Sequence, residues 1–187
     1  MKDLPSPPAD TIWTVGHSVL AIEAFVALLQ GAGIVRLADV RRYPGSRRHP
    51  QFGADALAQA LAAAGIEYLP MPALGGRRPP RPDSPNTAWR NAGFRGYADY
   101  MQTPAYASAR DALLAAAVRP TAIMCAETLW WQCHRGLIAD DLKLRGIRVL
   151  HLRPGAAASE HPWTAAARVV DGALSYAAPE PVQRGLF

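Results

Sequence analysis

Four times along this chain a short apolar run gives way to longer segments whose apolar residues recur at helical spacing, and a fifth run follows the last of them; that alternation restricts the fold more than any other feature. The runs are 12–15 (Ile-Trp-Thr-Val), 34–40, 66–69, 121–124 and 148–152. Helices are expected over 21–30, 54–64, 97–101, 106–118 and 133–144, with Gly31, Gly33 and Gly65 as stops and Ser18 as the N-cap of the first. Strands separated by helices are joined by crossovers, and crossovers build parallel sheets covered on both faces. The expected fold is therefore α/β. It is a single domain with a mostly parallel sheet of about five strands, helices on both faces in a Rossmann-like layout, and a small C-terminal hairpin over 168–176 turning at Asp171-Gly172. Residues 1–10 are expected as an extended or disordered tail ahead of one domain over 11–187, and the Pro-, Gly- and Arg-rich stretch 70–85 as a long surface loop.

At 187 residues, half of them hydrophobic, the chain can bury one core without staples. Two cysteines are too few for a disulfide framework, and the opening MKDLPSPPAD has neither a basic nor an apolar leader region, so a cytoplasmic location is expected. No apolar stretch approaches the ~20 residues of a bilayer span, and no membrane partner is expected. The net charge of +5 comes almost wholly from arginine, which favours an anionic partner but also follows from a GC-rich genome. Distribution is more telling than total. Arg41, Arg42, Arg47, Arg48, Arg77, Arg78, Arg81, Arg90 and Arg95 fall in two loop-like stretches instead of along helix faces.

In parallel α/β sheets ligands lie beyond the carboxyl ends of the strands. Gly16-His17-Ser18 follows the first strand, Asp39-Val40-Arg41 ends the second and Cys125-Ala126-Glu127 follows the fourth, so these groups are expected to meet at one edge. The run Cys125-Ala-Glu-Thr-Leu-Trp-Trp-Gln-Cys133-His134-Arg135 concentrates two thiols, a carboxylate, an imidazole and a guanidinium in eleven positions. A thiol near a helix N-terminus and a cation has its thiolate favoured, and Glu127 suits general acid or base work. The expected catalytic set is thus Cys125, Glu127, His17, Asp39, Cys133 and His134. Arg41, Ser18, Ser46, Arg47, Arg48, Arg135 and Trp130 are expected to bind substrate, since guanidinium forks, hydroxyls and loop N–H groups suit an oxyanion and tryptophan can stack on a base.

Blander readings compete. Both thiols can be buried hydrophobes, Glu127 and Arg135 can form a locking salt bridge, and the tryptophans can cover a core. No cofactor and no metal are expected; zinc on Cys125, Cys133 and His134, with His17 as a fourth ligand, is the lesser alternative because Cys-x7-Cys is not a usual knuckle spacing. A redox pair is another.

The motifs Val15-Gly-His-Ser18, Asp39-Val-Arg41 with Pro44 and Ser46, Gly65-Ile-x-Tyr68 with Leu74-Gly-Gly76, and Cys125-Ala-Glu127 with Cys133-His-Arg135 together resemble the uncharacterised bacterial family called domain of unknown function 488. The resemblance runs from Ile12 to Tyr176. It implies a cytoplasmic α/β domain with a Cys-, His- and Arg-rich signature and carries no reaction. From the residues, the expected function is an enzyme acting on a phosphate-bearing small molecule or nucleic acid. The alternatives are a non-catalytic nucleic-acid-binding module, or a zinc- or thiol-responsive regulatory domain.

Overall fold

A computed structural model describes residues 10–45 and 48–179. Its main sheet has six strands in the order β3-β2-β4-β1-β5-β6: β1 (Thr11–Gly16), β2 (Arg36–Asp39), β3 (Glu67–Pro70), β4 (Thr121–Cys125), β5 (Arg148–Arg153) and β6 (Ala156–Glu160). The first five are parallel to one another, and β6 returns antiparallel to β5 across a turn at Gly155. A separate hairpin pairs β7 (Arg168–Val170) with β8 (Ala173–Ser175); Asp171 and Gly172 both have positive φ, the geometry of a tight primed turn.

The sheet is clothed as the alternation requires. Helices α1 (Ile22–Gly31) and α2 (Ala54–Ala63) cover one face, and α3 (Ala92–Met101), α4 (Pro104–Ala116) and α5 (Arg135–Leu144) are packed with the other. Every residue of β4 is buried, and its side chains alternate: Ala122 and Met124 join the α1/α2 core, Ile123 and Cys125 the opposite one. That parity decides which side of the sheet each later side chain enters.

Several local expectations change. β6 lies where no strand is expected: Ala-Ala-Ala-Ser-Glu carries no β-branched residue, and its pairing comes from the neighbouring edge. Ser18 does not cap α1. It sits at φ 46° in the turn, and Ala21 holds the cap position with no side-chain bond. The helix expected from 133 starts at Arg135, and the one expected from 97 starts at Ala92, where Asn91 accepts from the Gly93 and Phe94 amides. Among the described residues, no helix is long and apolar enough to cross a membrane.

Candidate active site at the carboxyl edge of the sheet

Strand β4 lies between β2 and β1, so its carboxyl end is flanked by both. The His17 amide donates to the Cys125 carbonyl (3.1 Å) and the Ser18 amide to that of Ala126 (2.8 Å), which sews the turn after β1 to the loop after β4. Gly16 abuts the Glu127 carbonyl so closely that a Cβ there would collide with backbone, and only glycine fits.

Three side chains converge beside this junction. The sulfurs of Cys125 and Cys133 lie 3.9 and 3.6 Å from His134 Nδ1, and the three atoms all lie within 4.8 Å of one another. The opposite ring nitrogen, Nε2, donates to the Val40 carbonyl (3.1 Å), which turns the Nδ1 edge of the ring toward the sulfurs. Tyr97, fully buried, packs against the His134 ring, and Gly76 passes where a Cβ would stand 2.9 Å from Nδ1. Cys125 donates to Glu127 Oε2 at 3.1 Å. The two thiols share their protons unequally. Its hydrogen bond with Cys133, then burial, pushes Cys125 well above the ordinary thiol value. Burial opposes ionisation of Cys133 as well, but the bond from Cys125 and the charges of His134 and Arg135 outweigh it and favour the Cys133 thiolate.

A cavity of about 290 Å³ opens over this cluster. Its lining brings Cys125, Glu127 and His134 together with Arg41, Arg42, Arg77 and Tyr43. Arg77 comes from the loop after β3, which is pinned more firmly than its Pro/Gly composition implies. Asp99 accepts from the Arg81 amide (2.8 Å), Ser84 Oγ (2.6 Å) and Asn86 Nδ2 (2.8 Å). Burial would raise its pKa, yet these donors keep it below the usual carboxylate value. Tyr97 and Tyr100 donate to the Leu74 and Ala73 carbonyls, and the Arg78 guanidinium lies 3.8 Å from the Tyr100 ring centroid.

The expected constellation divides at this point. His17 and Asp39 are not in the cavity: they are 3% and 1% exposed and lie with Phe52 on the α1/α2 side of the sheet. Asp39 clamps Arg41 through Oδ1 to Nε (2.8 Å) and Oδ2 to Nη2 (2.6 Å), and also accepts from Tyr68 (2.8 Å). Arg41 Nη1 reaches His17 Nε2 at 3.3 Å, and His17 Nδ1 donates to the Ser18 carbonyl at 3.0 Å. Burial, with a smaller contribution from Arg41, brings the His17 pKa down to about 4 and keeps the ring neutral. The pair therefore aims Arg41, the one member of this group that lines the cavity.

Four residues expected to bind substrate, Arg135, Trp130, Ser18 and Arg48, are not among those that line the cavity. Arg135, 1% exposed, stands behind the cavity: it donates to the Glu127 backbone carbonyl, to Thr14 Oγ1 (3.3 Å) and to Cys133 Sγ (3.4 Å), not to the Glu127 carboxylate. Trp130 stacks face to face on His151, ring centroids 4.6 Å apart. Ser18 serves the turn through its backbone. Arg48 is exposed and not among the cavity-lining residues, and Ser46 and Arg47 lie outside the described residues.

The sequence reading missed a second buried network. Arg135 donates to Thr14, Thr14 to His151 Nδ1 (2.7 Å), His151 Nε2 to His161 Nδ1 (2.9 Å) and His161 Nε2 to Asp140 Oδ1 (3.0 Å). Asp140 also accepts from the Thr164 amide and hydroxyl and from Tyr176. Polar residues inside apolar strand runs, Thr14 and His151, were the available signal.

Residues 21–142 match the family model described as the domain of unknown function DUF488, a stretch that holds the whole thiol and imidazole cluster. No curated protein and no solved structure matches the chain.

Proposed function

We propose, from the premise that this chain belongs to the family of the domain of unknown function DUF488, that it is an enzyme acting on a phosphate-bearing substrate of nucleotide size. One observation carries the reading: a single cavity is lined by three arginines together with two thiols, a carboxylate and an imidazole. Guanidinium forks recognise phosphate oxygens; the donors of Arg41 are engaged by Asp39 and the Phe52 carbonyl, so it adds positive charge while Arg42 and Arg77 are the arginines left to contact an anion. The volume of about 290 Å³ sits at the lower end for small-ligand pockets, which suits one nucleotide or one unit of a longer strand.

Burial favours Glu127 over Cys125 as the proton-transfer group. Both sulfurs are sunk in the floor, 6% and 3% exposed, whereas Glu127 is exposed at the mouth and within reach of a water or a substrate hydroxyl. Hydrolysis is then the reaction class this arrangement serves best, with Arg42 and Arg77 holding the phosphate and Glu127 taking the proton of the attacking water.

A panel of nucleotides, sugar phosphates and oligonucleotides assayed for turnover tests this. Glu127→Gln should lower kcat by about 10²-fold or more, and Arg77→Ala should act mainly on KM. If an activity is found that neither change alters, the reading fails. Tyr43, 62% exposed with the Arg42 guanidinium 5.5 Å from its ring centroid, supports a second reading as a nucleic-acid-binding module without turnover. Affinity for single strands that falls steeply with salt and is indifferent to Glu127→Gln would favour it.

A further inference from the structure

We infer that Cys125, Cys133 and His134 form a zinc site with three protein ligands and a fourth position open to the cavity. The inference rests on the reading of this cavity as an active site and names the cofactor that site would use. In a tetrahedral zinc site with Zn–S of about 2.3 Å and Zn–N of about 2.0 Å, a sulfur and a nitrogen ligand stand roughly 3.5 Å apart. The sulfur-to-Nδ1 distances of 3.6 and 3.9 Å come close to that spacing, and no pair among the three atoms exceeds 4.8 Å.

The surroundings are those a metal requires. A metal-bound histidine commonly gives its other ring N–H to a carbonyl or carboxylate, which fixes the tautomer; His134 gives Nε2–H to Val40. Tyr97 holds the ring in place, and glycine at position 76 leaves Nδ1 uncovered where any larger residue would crowd it. Arg135 Nε donates to Cys133 Sγ, a contact that tempers the charge of a bound thiolate. The Cys-x7-Cys spacing, atypical for a knuckle, is explained by the fold: one thiol ends β4 and the other precedes α5, so the sheet edge and not a short loop brings them together.

Three protein ligands with an open fourth position is the pattern of catalytic zinc. Glu127 contacts Cys125 but lies outside the three-atom set, beside the place a zinc-bound water would occupy. Ligation would release the thiol protons of Cys125 and Cys133 to solvent, and Glu127 would be the carboxylate at hand to accept a proton from a zinc-bound water, leaving hydroxide on the metal.

The test is metal content and cobalt spectroscopy on the full chain, neither of which depends on turnover. Reduced, chelator-stripped protein should take up one Zn²⁺ per chain. Titration with Co²⁺ should give thiolate-to-cobalt charge transfer and the intense visible bands of tetrahedral coordination. Cys133→Ser and His134→Ala should each lower zinc affinity by more than about 100-fold. Glu127→Gln should bind zinc with unchanged stoichiometry, and a urea midpoint measured on each metal-free variant separates lost ligation from lost fold. Folded protein with two reactive thiols that takes up neither metal overturns the inference and leaves the phosphate reading to its own assay. A Cys125–Cys133 disulfide formed in the presence of zinc also overturns it, as does octahedral cobalt. Zinc-loaded protein inert toward the whole substrate panel keeps the metal and discards the substrate.

Discussion

Two buried polar clusters meet at Arg135, and they differ in how completely their hydrogen-bonding capacity is satisfied. From Thr14 to Asp140 each donor has an acceptor, the two imidazoles have defined tautomers, and Asp140 accepts four bonds. Nothing is left over to bind anything else, and no member lines the cavity. Around Cys125, Cys133 and His134 the account does not close. Nδ1 and two sulfurs face one another, Cys125 directs its proton to Glu127, and the cavity opens beside them. Histidine near an acid is thus a poor marker of a site. A better one is a group of acceptors converging with too few donors, because such a group wants a cation.

The largest expected effect breaks the saturated cluster. Asp140→Ala removes the acceptor of four bonds and strands a threonine hydroxyl, a tyrosine hydroxyl and an imidazole in the interior. Leaving such partners unsatisfied costs about 3–5 kcal/mol, readable as a lowered midpoint in urea denaturation. A loss below about 1 kcal/mol would mean that the network is looser than its distances imply and would erase the contrast with the thiol cluster.

Acid gives the next largest effect, and it sharpens the comparison because both affected imidazoles lie outside the cavity. Burial, reinforced by His161, Arg135 and Arg153, lowers the His151 pKa to about 3; burial and Arg41 lower that of His17 to about 4, against the attraction of Asp39 and the Ser18 carbonyl. Both folded values lie below the ordinary 6.5, so the unfolded chain binds more protons as pH falls. Their contribution is complete above about pH 6.5 and is withdrawn below it, by roughly 2 kcal/mol per imidazole on reaching pH 5. Denaturation midpoints measured across that window should decline, and His17→Gln should flatten its share of the slope. A midpoint that rises on acidification contradicts the neutral tautomers assigned here.

What the sequence made legible follows the same division. The alternation of apolar runs and helical segments identified an α/β sheet, and Cys125, Glu127, Cys133 and His134 stood out because unlike reactive groups rarely crowd into eleven positions. Asp39 and His17 were visible as strand-end residues, but the side of the sheet they enter depends on parity: Asp39 leaves β2 on the face opposite Val40, and that places it with Phe52 and α2. The strand order hid the rest. With β4 inserted between β1 and β2, Arg135 lies under Thr14, a partner 121 residues away that no local spacing could reveal. His161 and Asp140 are joined in the same manner, through an edge strand whose small residues gave no β signal.

The smallest expected effect is the most discriminating. Glu127 is exposed, and its carboxylate accepts from Cys125, whose other neighbours hold that thiol in the core in any case. Glu127→Gln keeps size and an acceptor oxygen while removing the charge, so stability should change by less than about 0.5 kcal/mol in the same urea assay that registers Asp140→Ala. The two variants then separate the clusters on a single scale: one residue holds the fold and has no access to ligand, the other has access and holds nothing. Should Glu127→Gln destabilise the chain by about 2 kcal/mol or more, the carboxylate is a structural partner of the thiols, and its assignment to proton transfer loses its physical basis even before an activity is measured.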